Sequence, residues 1–272
     1  MRRARAAKAP EQSFLILEAA AGVAERAGAA NRRFHHALEF GSGDAAFGLL
    51  KSLAESWTRI EFGESEMLDV PEQSFDLAVS VLALHAVNDL PGALIQIRRA
   101  LKPDGLLVAA LFGGDTLKEL RESFASGEEQ IRGGASPRVA PFADVRDLGG
   151  LLQRAGFNLP VADVEHTVVR YRAFDTLIAD LRDAGETNAL VNRAKKPLRR
   201  DVLAASLAHY ENRHAEEDGR LRATFDIAYL TGWTPHESQQ KPLAPGSAKV
   251  RLADALGTAE RNAGDETPNK RS

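Results

Sequence analysis

The 272-residue sequence contains no cysteine, which excludes disulfide bonds, cysteine-bound iron–sulfur clusters and a cysteine nucleophile. It also has no apolar run near the roughly 18 residues that a bilayer-spanning helix needs. Charge of one sign is not in large excess, because the formal net charge is −3 with 27% charged residues. These absences predict a chain that does not span a membrane and does not bind nucleic acid.

The two ends of the chain differ in composition. The start, MRRARAAKAP, is basic and free of acids, but it lacks the apolar core of a secretory signal. It is compatible with a fragment of a transit peptide, although a solvated helix start is the simpler interpretation, and we predict a cytoplasmic location. The last stretch, from about residue 235, is polar and predicts a mobile tail with at most one short helix, at residues 248–256.

Apolar strand-like runs alternate with helical patterns in the first half of the chain. This alternation predicts an α/β fold with a parallel sheet and helices on both faces. Longer helices, a Gly- and Pro-rich loop at residues 132–142 and two late strands follow. We expect strands at residues 37–40, 59–62, 74–84, 106–112, 161–171 and 223–230, and helices at residues 11–29, 45–56, 91–101, 115–131, 144–155, 174–184 and 199–214.

The first chemical signal is EFGSGD, residues 39–44, at the end of the first predicted strand. In a Rossmann-type unit, glycines after this strand let the backbone approach a ligand at a helix N-terminus. An acid about 20 residues farther on then bonds a ribose hydroxyl. Such a turn by itself is structural about as often as functional, so the surrounding sequence must show whether this one binds a ligand. The candidate ligand-binding residues of this turn are Glu39, Gly41, Ser42, Gly43 and Asp44.

The context is a resemblance to a known family. SFDLAVSVLALH and then VNDLPGALIQIRRALKPDGLLVAALF follow the turn. With EFGSGD as the glycine-rich first motif, SFDLAVS as the fourth strand and LKPDG before the fifth, the chain resembles the class I S-adenosylmethionine-dependent methyltransferases. Further segments narrow the resemblance to the methyltransferase-like respiratory complex I assembly factors of mitochondria and α-proteobacteria: RRARAA near the start, and then LHAVNDLPGAL, GGDTLKELR, SPRVAPFADVRDLGGLLQRAGF and GWTPHESQQKPLAPGSAK.

The resemblance implies a Rossmann-like, seven-stranded methyltransferase sheet with bound S-adenosylmethionine. For mitochondrial members it also implies hydroxylation of an arginine on an iron–sulfur subunit of complex I, whereas bacterial relatives are described as methyltransferases. We therefore expect a methyltransferase-like protein that acts on a protein substrate, with a complex I subunit as partner. Two alternatives stay open, a non-catalytic assembly protein on a degenerate methyltransferase scaffold and a small-molecule methyltransferase. No catalytic residue is carried over, and no metal site is expected.

The resemblance and the composition together predict that the chain divides into three parts. We predict an N-terminal helical cap at residues 1–34, a methyltransferase-like domain with helical insertions at residues 35–234, and the mobile polar tail at residues 235–272. Trp233 stands beside the tail without an evident role in the fold. It is therefore a candidate for docking a partner.

The interval between Gly43 and Ser74 departs from the family pattern. Two strands with their crossovers cannot fit there, because a parallel crossover needs about a dozen residues. One βα unit is therefore missing. If RIEF is the second strand, Glu61 meets the ribose; if FGESEML matches the third-strand segment, Glu64 lies near the adenine amine. The spacing around SFD favours Glu64. Each alternative removes one contact of the cofactor site, and the loss of such a contact weakens cofactor affinity by roughly ten- to a hundredfold.

The histidines fall into two groups. His85 follows the predicted fourth strand at its carboxyl end, where ligands of open α/β sheets bind. It is a candidate wall of the cofactor pocket or a proton carrier, and a half-buried structural histidine is an equal alternative. His35 and His36 precede the predicted first strand on the far side of the sheet, so we interpret them as surface residues.

Overall fold

A computed structural model describes residues 13–41, 43–61, 66–188, 190, 192–194 and 197–240, together with residues 254, 257 and 258. The chain divides into two compact units, residues 1–236 and residues 237–272. Every helix and strand named below belongs to the first unit. The short helix predicted at residues 248–256 falls almost entirely outside the described residues, so it stays a prediction, as do the three-part division and the mobility of the tail.

Six strands and seven helices make up the first unit, within the part of the chain that the structure describes. Two short 3₁₀ turns, Lys51–Leu53 and Leu84–Ala86, supplement them. The elements in chain order are α1 (Phe14–Ala29), β1 (Phe34–Phe40), α2 (Gly43–Leu50), β2 (Ala54–Ile60), β3 (Phe75–Val81), α3 (Leu90–Ala100), β4 (Leu101–Phe112), α4 (Lys118–Arg132), α5 (Val145–Arg154), β5 (Asn158–Tyr171), α6 (Phe174–Asp183), α7 (Arg200–His214) and β6 (Leu221–Trp233).

The strands form one mixed sheet in the order β2-β1-β3-β4-β6-β5. The first four are mutually parallel, whereas β6 runs antiparallel to β4 and to β5. The described residues between β2 and β3 contain no further strand, and the sheet has six strands where the resemblance implied seven. The expected Rossmann-like sheet that lacks one βα unit is therefore confirmed.

Helices cover both faces of this sheet, as the strand–helix alternation predicted. On one face α1, α2, α4, α6 and α7 close over a core that contains Phe34, Leu77 and Phe225. On the other face α3 and α5 close over Leu38 and Leu107. Each such fully buried side chain contributes about 1.5–3 kcal/mol through removal of apolar surface from water. None of the helices in the described part of the chain is long and apolar enough to cross a membrane.

The central strand β3 is buried along its whole length, including the carboxylate of Asp76. That carboxylate accepts hydrogen bonds from the backbone N–H groups of His35, at 2.9 Å, and His36, at 2.8 Å. Burial raises the pKa of Asp76, but these two hydrogen bonds outweigh burial and hold the pKa below its ordinary value. The ionised carboxylate thereby ties the start of β1 to β3.

The expectation that His35 and His36 precede the first strand is wrong. Strand β1 begins at Phe34, so both histidines lie within it. His35 is exposed, but His36 is half-buried, with Nε2 2.9 Å from Thr58 Oγ1 and its ring 4.6 Å from that of Phe75. Pairing of β1 with β2 from Phe34 onward extends the strand beyond the apolar run that the sequence shows.

Strand β2 also begins earlier than predicted. The expected helix at residues 45–56 ends at Leu50 and passes through a 3₁₀ turn, and β2 starts at Ala54 instead of at residue 59. Register pairing joins Phe34 to Ala54 and Phe40 to Ile60. AESWTRI has an apolar residue at every third position and lacks the alternation of a half-buried strand, so its strand conformation comes from pairing with β1, 20 residues earlier in the chain.

LKPDG, expected to end the helix before the next strand, lies inside β4. Helix α3 ends at Ala100, and Leu101 pairs with Phe75 in the sheet. The register shifts between Phe75 and Leu77, and Asp104 takes a φ of 59° within this irregular stretch. The turn chemistry of LKPDG therefore makes an irregular start to a strand.

Trp233, expected to have no role in the fold, is the last residue of β6. It is half-buried and stands in register with Leu106 on one side and Asn158 on the other. A Cβ added to the preceding residue, Gly232, would approach Phe157 to 3.0 Å. Trp233 thus belongs to the sheet, and this residue is not an exposed docking aromatic.

Candidate functional site

Three neighbouring parallel strands end side by side at the carboxyl edge of the sheet. Strand β1 leads into Gly41, β3 leads to His85, and β4 ends at Phe112. In the sheet order β1, β3 and β4 are consecutive. Because adjacent strands lie about 4.8 Å apart, the ends of β1 and β4 are roughly 10 Å apart. This is the edge where open α/β sheets bind ligands.

The glycine turn after β1 has the backbone that a ligand cradle requires. Gly41 has a φ of 72°, and its N–H donates to the carbonyl of Ile60 at 3.1 Å. Gly43, the first residue of α2, has a φ of 75°, and an added Cβ would meet no atom within 4 Å. The left-handed backbone favours glycine, and the open side leaves the helix N-terminus accessible. Ser42, predicted to contact the cofactor, lies outside the described residues.

The acids of the turn are held by a side chain that sequence reasoning missed. Glu39 is buried, and its Oε2 accepts from Arg59 Nε at 2.8 Å. Arg59 Nη1 donates to Asp44 Oδ1 at 2.7 Å, and the guanidinium lies 4.3 Å from the ring centroid of Phe47. Burial lowers the pKa of Arg59, but the bonds to the two carboxylates outweigh burial and raise it, so Arg59 stays charged. Only the pairing of Glu39 with Arg59 across β1 and β2 could have shown this.

A depression of about 270 Å³ lies over this turn. Glu39, Gly41, Gly43, Asp44 and Glu61 are among the residues that line it. These residues fit a cofactor with cationic and hydroxyl groups, because open glycine backbone lies beside three carboxylates. Among the described residues of the lining, the guanidinium of Arg59 opposes a cationic ligand.

Of the two acids that were candidates for cofactor contact, the structure describes Glu61. It directly follows β2, which is the strand beside β1 in the sheet. This geometry supports the alternative in which RIEF is the second strand and Glu61 meets the ribose. Glu64, which the family's spacing favoured, lies outside the described residues, so its role stays a prediction.

His85 lies in the 3₁₀ turn that follows β3, and its ring contacts two residues that line a second cavity, Phe112 and Phe142. It is nearly buried, with 4% of its side chain exposed. The Phe112 N–H donates to Nδ1 at 3.5 Å, and Nε2 lies 3.1 Å from Glu186 Oε1. Its ring centroid is 5.1 Å from that of Phe112 and 5.7 Å from that of Phe142. His85 is therefore held in one orientation by groups from three distant segments.

The second cavity, of about 210 Å³, opens beyond the end of β4. We call it the aromatic cavity. Its rings come from β4, α4 and the loop before α5, and its charges come from that loop, from α6 and from the segment after α6. The lining includes Phe112, Phe124, Phe142, Arg138, Arg182 and Glu186. Sequence reasoning missed this set, because no short-range pattern joins these positions.

The loop that forms one wall of the aromatic cavity is fixed to α4 through Glu128. This fully buried carboxylate accepts from the N–H and hydroxyl of Ser136 and from Nε of Arg138 at 2.9 Å. Burial raises the pKa of Glu128, but these hydrogen bonds outweigh burial and hold the pKa below its ordinary value. The charge of Arg138 is thereby neutralised inside the wall.

Comparisons with known proteins agree with this geometry. Residues 12–160 match the family described as "Methyltransferase domain". The YcgJ protein of Bacillus subtilis has a similar solved fold, with a TM-score of 0.54 and 13% identity over 79% of this chain and 98% of that chain. A putative methyltransferase of Bacillus halodurans gives a TM-score of 0.52 and 11% identity over 78% of this chain and 99% of that chain. The fold is thus that of class I methyltransferases.

Curated relatives narrow the family. "Arginine-hydroxylase NDUFAF5, mitochondrial" is 45% identical in Danio rerio, over 70% of this chain and 59% of that protein. The human protein of the same name is 40% identical, over 92% and 79%. "Malonyl-[acyl-carrier protein] O-methyltransferase" of Gallionella capsiferriformans is 32% identical, over 71% and 67%. The chain belongs to the methyltransferase-domain family, in the branch that contains the proteins named arginine-hydroxylase NDUFAF5. The match spans less than two thirds of the Danio rerio relative.

Proposed function

We propose that this protein is a S-adenosylmethionine-dependent enzyme that modifies a protein substrate during assembly of respiratory complex I, by methylation or arginine hydroxylation. The observation that carries the proposal is the row formed by the glycine turn, His85 and the aromatic cavity along one sheet edge. Such a row supplies a cofactor site and an acceptor site separated by about two strand spacings. Two relatives, an arginine hydroxylase and a malonyl-[acyl-carrier protein] O-methyltransferase, support a substrate that is a protein or is carried on one.

Residues of this chain have distinct roles in that proposal. S-adenosylmethionine, when bound, supplies an electrophilic methyl group on a sulfonium. The backbone around Gly41 and Gly43 receives the ligand at the N-terminus of α2. Glu61 accepts hydrogen bonds from ribose hydroxyls, and Glu39 with Asp44 provides negative charge for a cationic ligand. The aromatic cavity orients the acceptor and excludes water, so positioning supplies most of the catalysis.

The partner we propose is a subunit of complex I, and the location we propose is cytoplasmic. Residues 237–272 form a unit of their own and hold ESQQKPLAPGSAK, the greater part of one of the segments that carry the family resemblance. Removing residues 237–272 should therefore leave S-adenosylmethionine binding intact and abolish capture of the subunit in a pull-down with purified components. Unchanged capture would remove this segment from the interface.

A titration of the purified full-length protein with S-adenosylmethionine tests the proposal most directly. We expect saturable heat of binding in calorimetry for the parent. A second arm incubates protein, cofactor and purified complex I subunits with dioxygen and a reductant, both of which hydroxylation requires, and uses mass spectrometry to look for an added methyl group or an added oxygen on an arginine. Absence of cofactor binding in the folded protein would reject the enzymatic proposal.

A non-catalytic assembly protein on a degenerate methyltransferase scaffold is the second candidate. Two observations favour it: the sheet lacks one βα unit, and Arg59 already pairs with two acids of the turn. This candidate predicts subunit capture without cofactor binding and without modification. Capture that is unchanged by saturating cofactor and yields no modified arginine would support it over the enzyme.

A further inference from the structure

Strand β2 is the last strand at one side of the sheet. It pairs with β1, and no other strand of the described residues lies on its outer side. Such a strand presents a row of backbone N–H and C=O groups that pair readily with a further strand. The strand at the other side of the sheet, β5, contains Pro160 and a register irregularity beside it, two features that oppose further pairing. Strand β2 contains no proline, so its backbone permits pairing on the outer side.

The backbone groups on the outer side of β2 belong to alternate residues. The carbonyl of Ile60 accepts from the N–H of Gly41, the residue after β1, so it points toward β1. Along a strand, the N–H and C=O of one residue point to the same side, and that side alternates from residue to residue. The even-numbered residues of β2 therefore direct their backbone groups toward β1, and Glu55, Trp57 and Arg59 direct theirs outward.

The segment AESWTRI is complementary to itself when two copies run antiparallel. A two-fold axis at Trp57 places Glu55 of each copy opposite Arg59 of the other, and the two Trp57 residues opposite each other. Residues opposite each other in an antiparallel pair lie on the same face with Cβ atoms about 4.5–5.5 Å apart, and opposite charges or aromatic rings there stabilise the pair. In this register every outward N–H of one copy meets an outward C=O of the other.

We propose that β2 is the surface through which two copies of this chain associate. The two β2 strands pair antiparallel about the two-fold axis at Trp57 and join the two sheets into one. The charge pattern selects a second copy over an unrelated strand, because Glu55 and Arg59 match each other across the axis. This inference goes beyond the proposed function and does not depend on it.

The two charged side chains are available for this pairing. Glu55 has 46% of its side chain exposed, and its salt-bridge partners, Arg33 and His35, are themselves exposed. Such surface pairs contribute little, and a carboxylate has acceptor sites for further hydrogen bonds. Arg59 has 35% of its side chain exposed. Within the described part of the chain it uses Nε and Nη1 for its bonds to the acids of the glycine turn, which leaves Nη2 to donate to the second copy.

Trp57 is held in place before association. It is half-buried, its Nε1 donates to the carbonyl of Lys51 at 3.1 Å, and its ring meets that of Phe47 edge-on with 5.3 Å between the centroids. A side chain that is already ordered costs less entropy when an interface buries it. Strands of this length bury an area at the low end for protein interfaces, so we expect a reversible dimer with a Kd of about 10–100 μM.

Sedimentation equilibrium of the full-length protein, from about 1 to 300 μM, measures the association. We expect the parent to pass from the mass of one chain toward that of two. Glu55→Lys places a cation opposite Arg59 of the second copy and should raise the Kd roughly tenfold or more. Glu25→Lys, the same charge change at an exposed position of α1, is the matched control and should leave the Kd unchanged. Equal weakening by Glu25→Lys would attribute the effect to net charge and overturn the assignment to β2.

A second pair of variants tests the main-chain pairing. Glu55→Pro removes an outward N–H, and edge strands tolerate proline where the N–H does not face the sheet. Ala54 has an extended backbone, with φ −138° and ψ 158°, which is the conformation that a following proline favours. We expect Glu55→Pro to fold, by thermal unfolding, and to stay a monomer, whereas Glu55→Gln keeps the N–H and dimerises more weakly than the parent.

Hydrogen exchange of the parent provides a readout without any substitution. Mass spectrometry of the peptide that contains residues 54–60 should show slower amide exchange as the protein concentration rises through the Kd. A parent that keeps the mass of one chain at all concentrations would overturn the inference, as would a dimer with the parent's Kd in both Glu55→Lys and Glu55→Pro. Exchange that is equally slow at every concentration would show that the outer side of β2 is covered within one chain, which also overturns the inference.

Discussion

The cofactor depression and the aromatic cavity lie at the same sheet edge but are built in opposite ways. The depression uses residues 39–61, a short and nearly continuous stretch, and its backbone geometry follows from two glycines. The aromatic cavity draws on residues 112–188, and the His85–Glu186 pair at its wall spans 101 positions. The depression is polar, and Arg59 compensates its three carboxylates only in part, whereas the lining of the cavity is mainly aromatic and aliphatic. Local sequence can encode a backbone cradle, but an enclosed apolar pocket needs convergence of distant segments.

The largest expected effect is on the depression alone. Gly43→Val places a β-branched residue at a φ of 75°, and we expect S-adenosylmethionine binding to fall below detection in calorimetry. Gly134→Val is the matched control, because an added Cβ there also meets nothing within 4 Å and the φ is not positive. Cofactor binding by Gly43→Val equal to that of the parent would reduce the turn to a structural role.

The next effect concerns the wall of the aromatic cavity. Glu128→Gln should lower the free energy of unfolding by about 2 kcal/mol at pH 7, because charge-assisted hydrogen bonds inside the wall are lost. Since the pKa of Glu128 is lower in the folded protein, its ionised form stabilises the fold above the ordinary value of 4.5, and this contribution is lost as pH falls through the folded-state value. Denaturant titrations should therefore show a difference between parent and variant that shrinks in acid. A constant difference would show that packing, not charge, is lost.

A comparable effect separates Glu61 from Glu64, the two acids that are candidates for cofactor contact. Glu61→Gln should weaken S-adenosylmethionine binding about tenfold, through loss of a charge-assisted hydrogen bond, while Glu64→Gln leaves it nearly unchanged. Calorimetric titration of both variants checks the ranking. The reverse order would restore the alternative in which Glu64 contacts the adenine and the ribose acid is absent.

The smallest effect tests the charge of Arg59. Arg59→Met removes a cation from the depression and releases Glu39 and Asp44. The affinity for S-adenosylmethionine should therefore rise about two- to fivefold relative to that for S-adenosylhomocysteine, which lacks the sulfonium charge. The ratio of the two affinities, measured by calorimetry, cancels general effects on packing. An unchanged ratio would show that the sulfonium does not lie near Arg59, and that the two regions differ less in charge than we describe.

Several features of the fold were predictable because their causes are local. The apolar runs of β3 and β4, the cap of α5 by Asp144 and the left-handed Gly156 after it all follow from short stretches. The missing βα unit followed from the short interval between Gly43 and Ser74, because parallel crossovers have a minimum length. The start of β2 and the strand position of LKPDG were not predictable, because pairing partners overrode local turn and helix signals.

The sequence by itself determined the family, the order of strands and helices in the methyltransferase core, and the glycine turn with Glu39 before it. These depend on motifs and on backbone preferences that neighbouring residues set. Only the tertiary structure decided that Arg59 closes an ion pair across β1 and β2, that Trp233 belongs to the sheet, and that His85 faces Glu186. Those contacts join residues of different strands and loops, and their existence depends on strand register and helix packing, which no local pattern encodes.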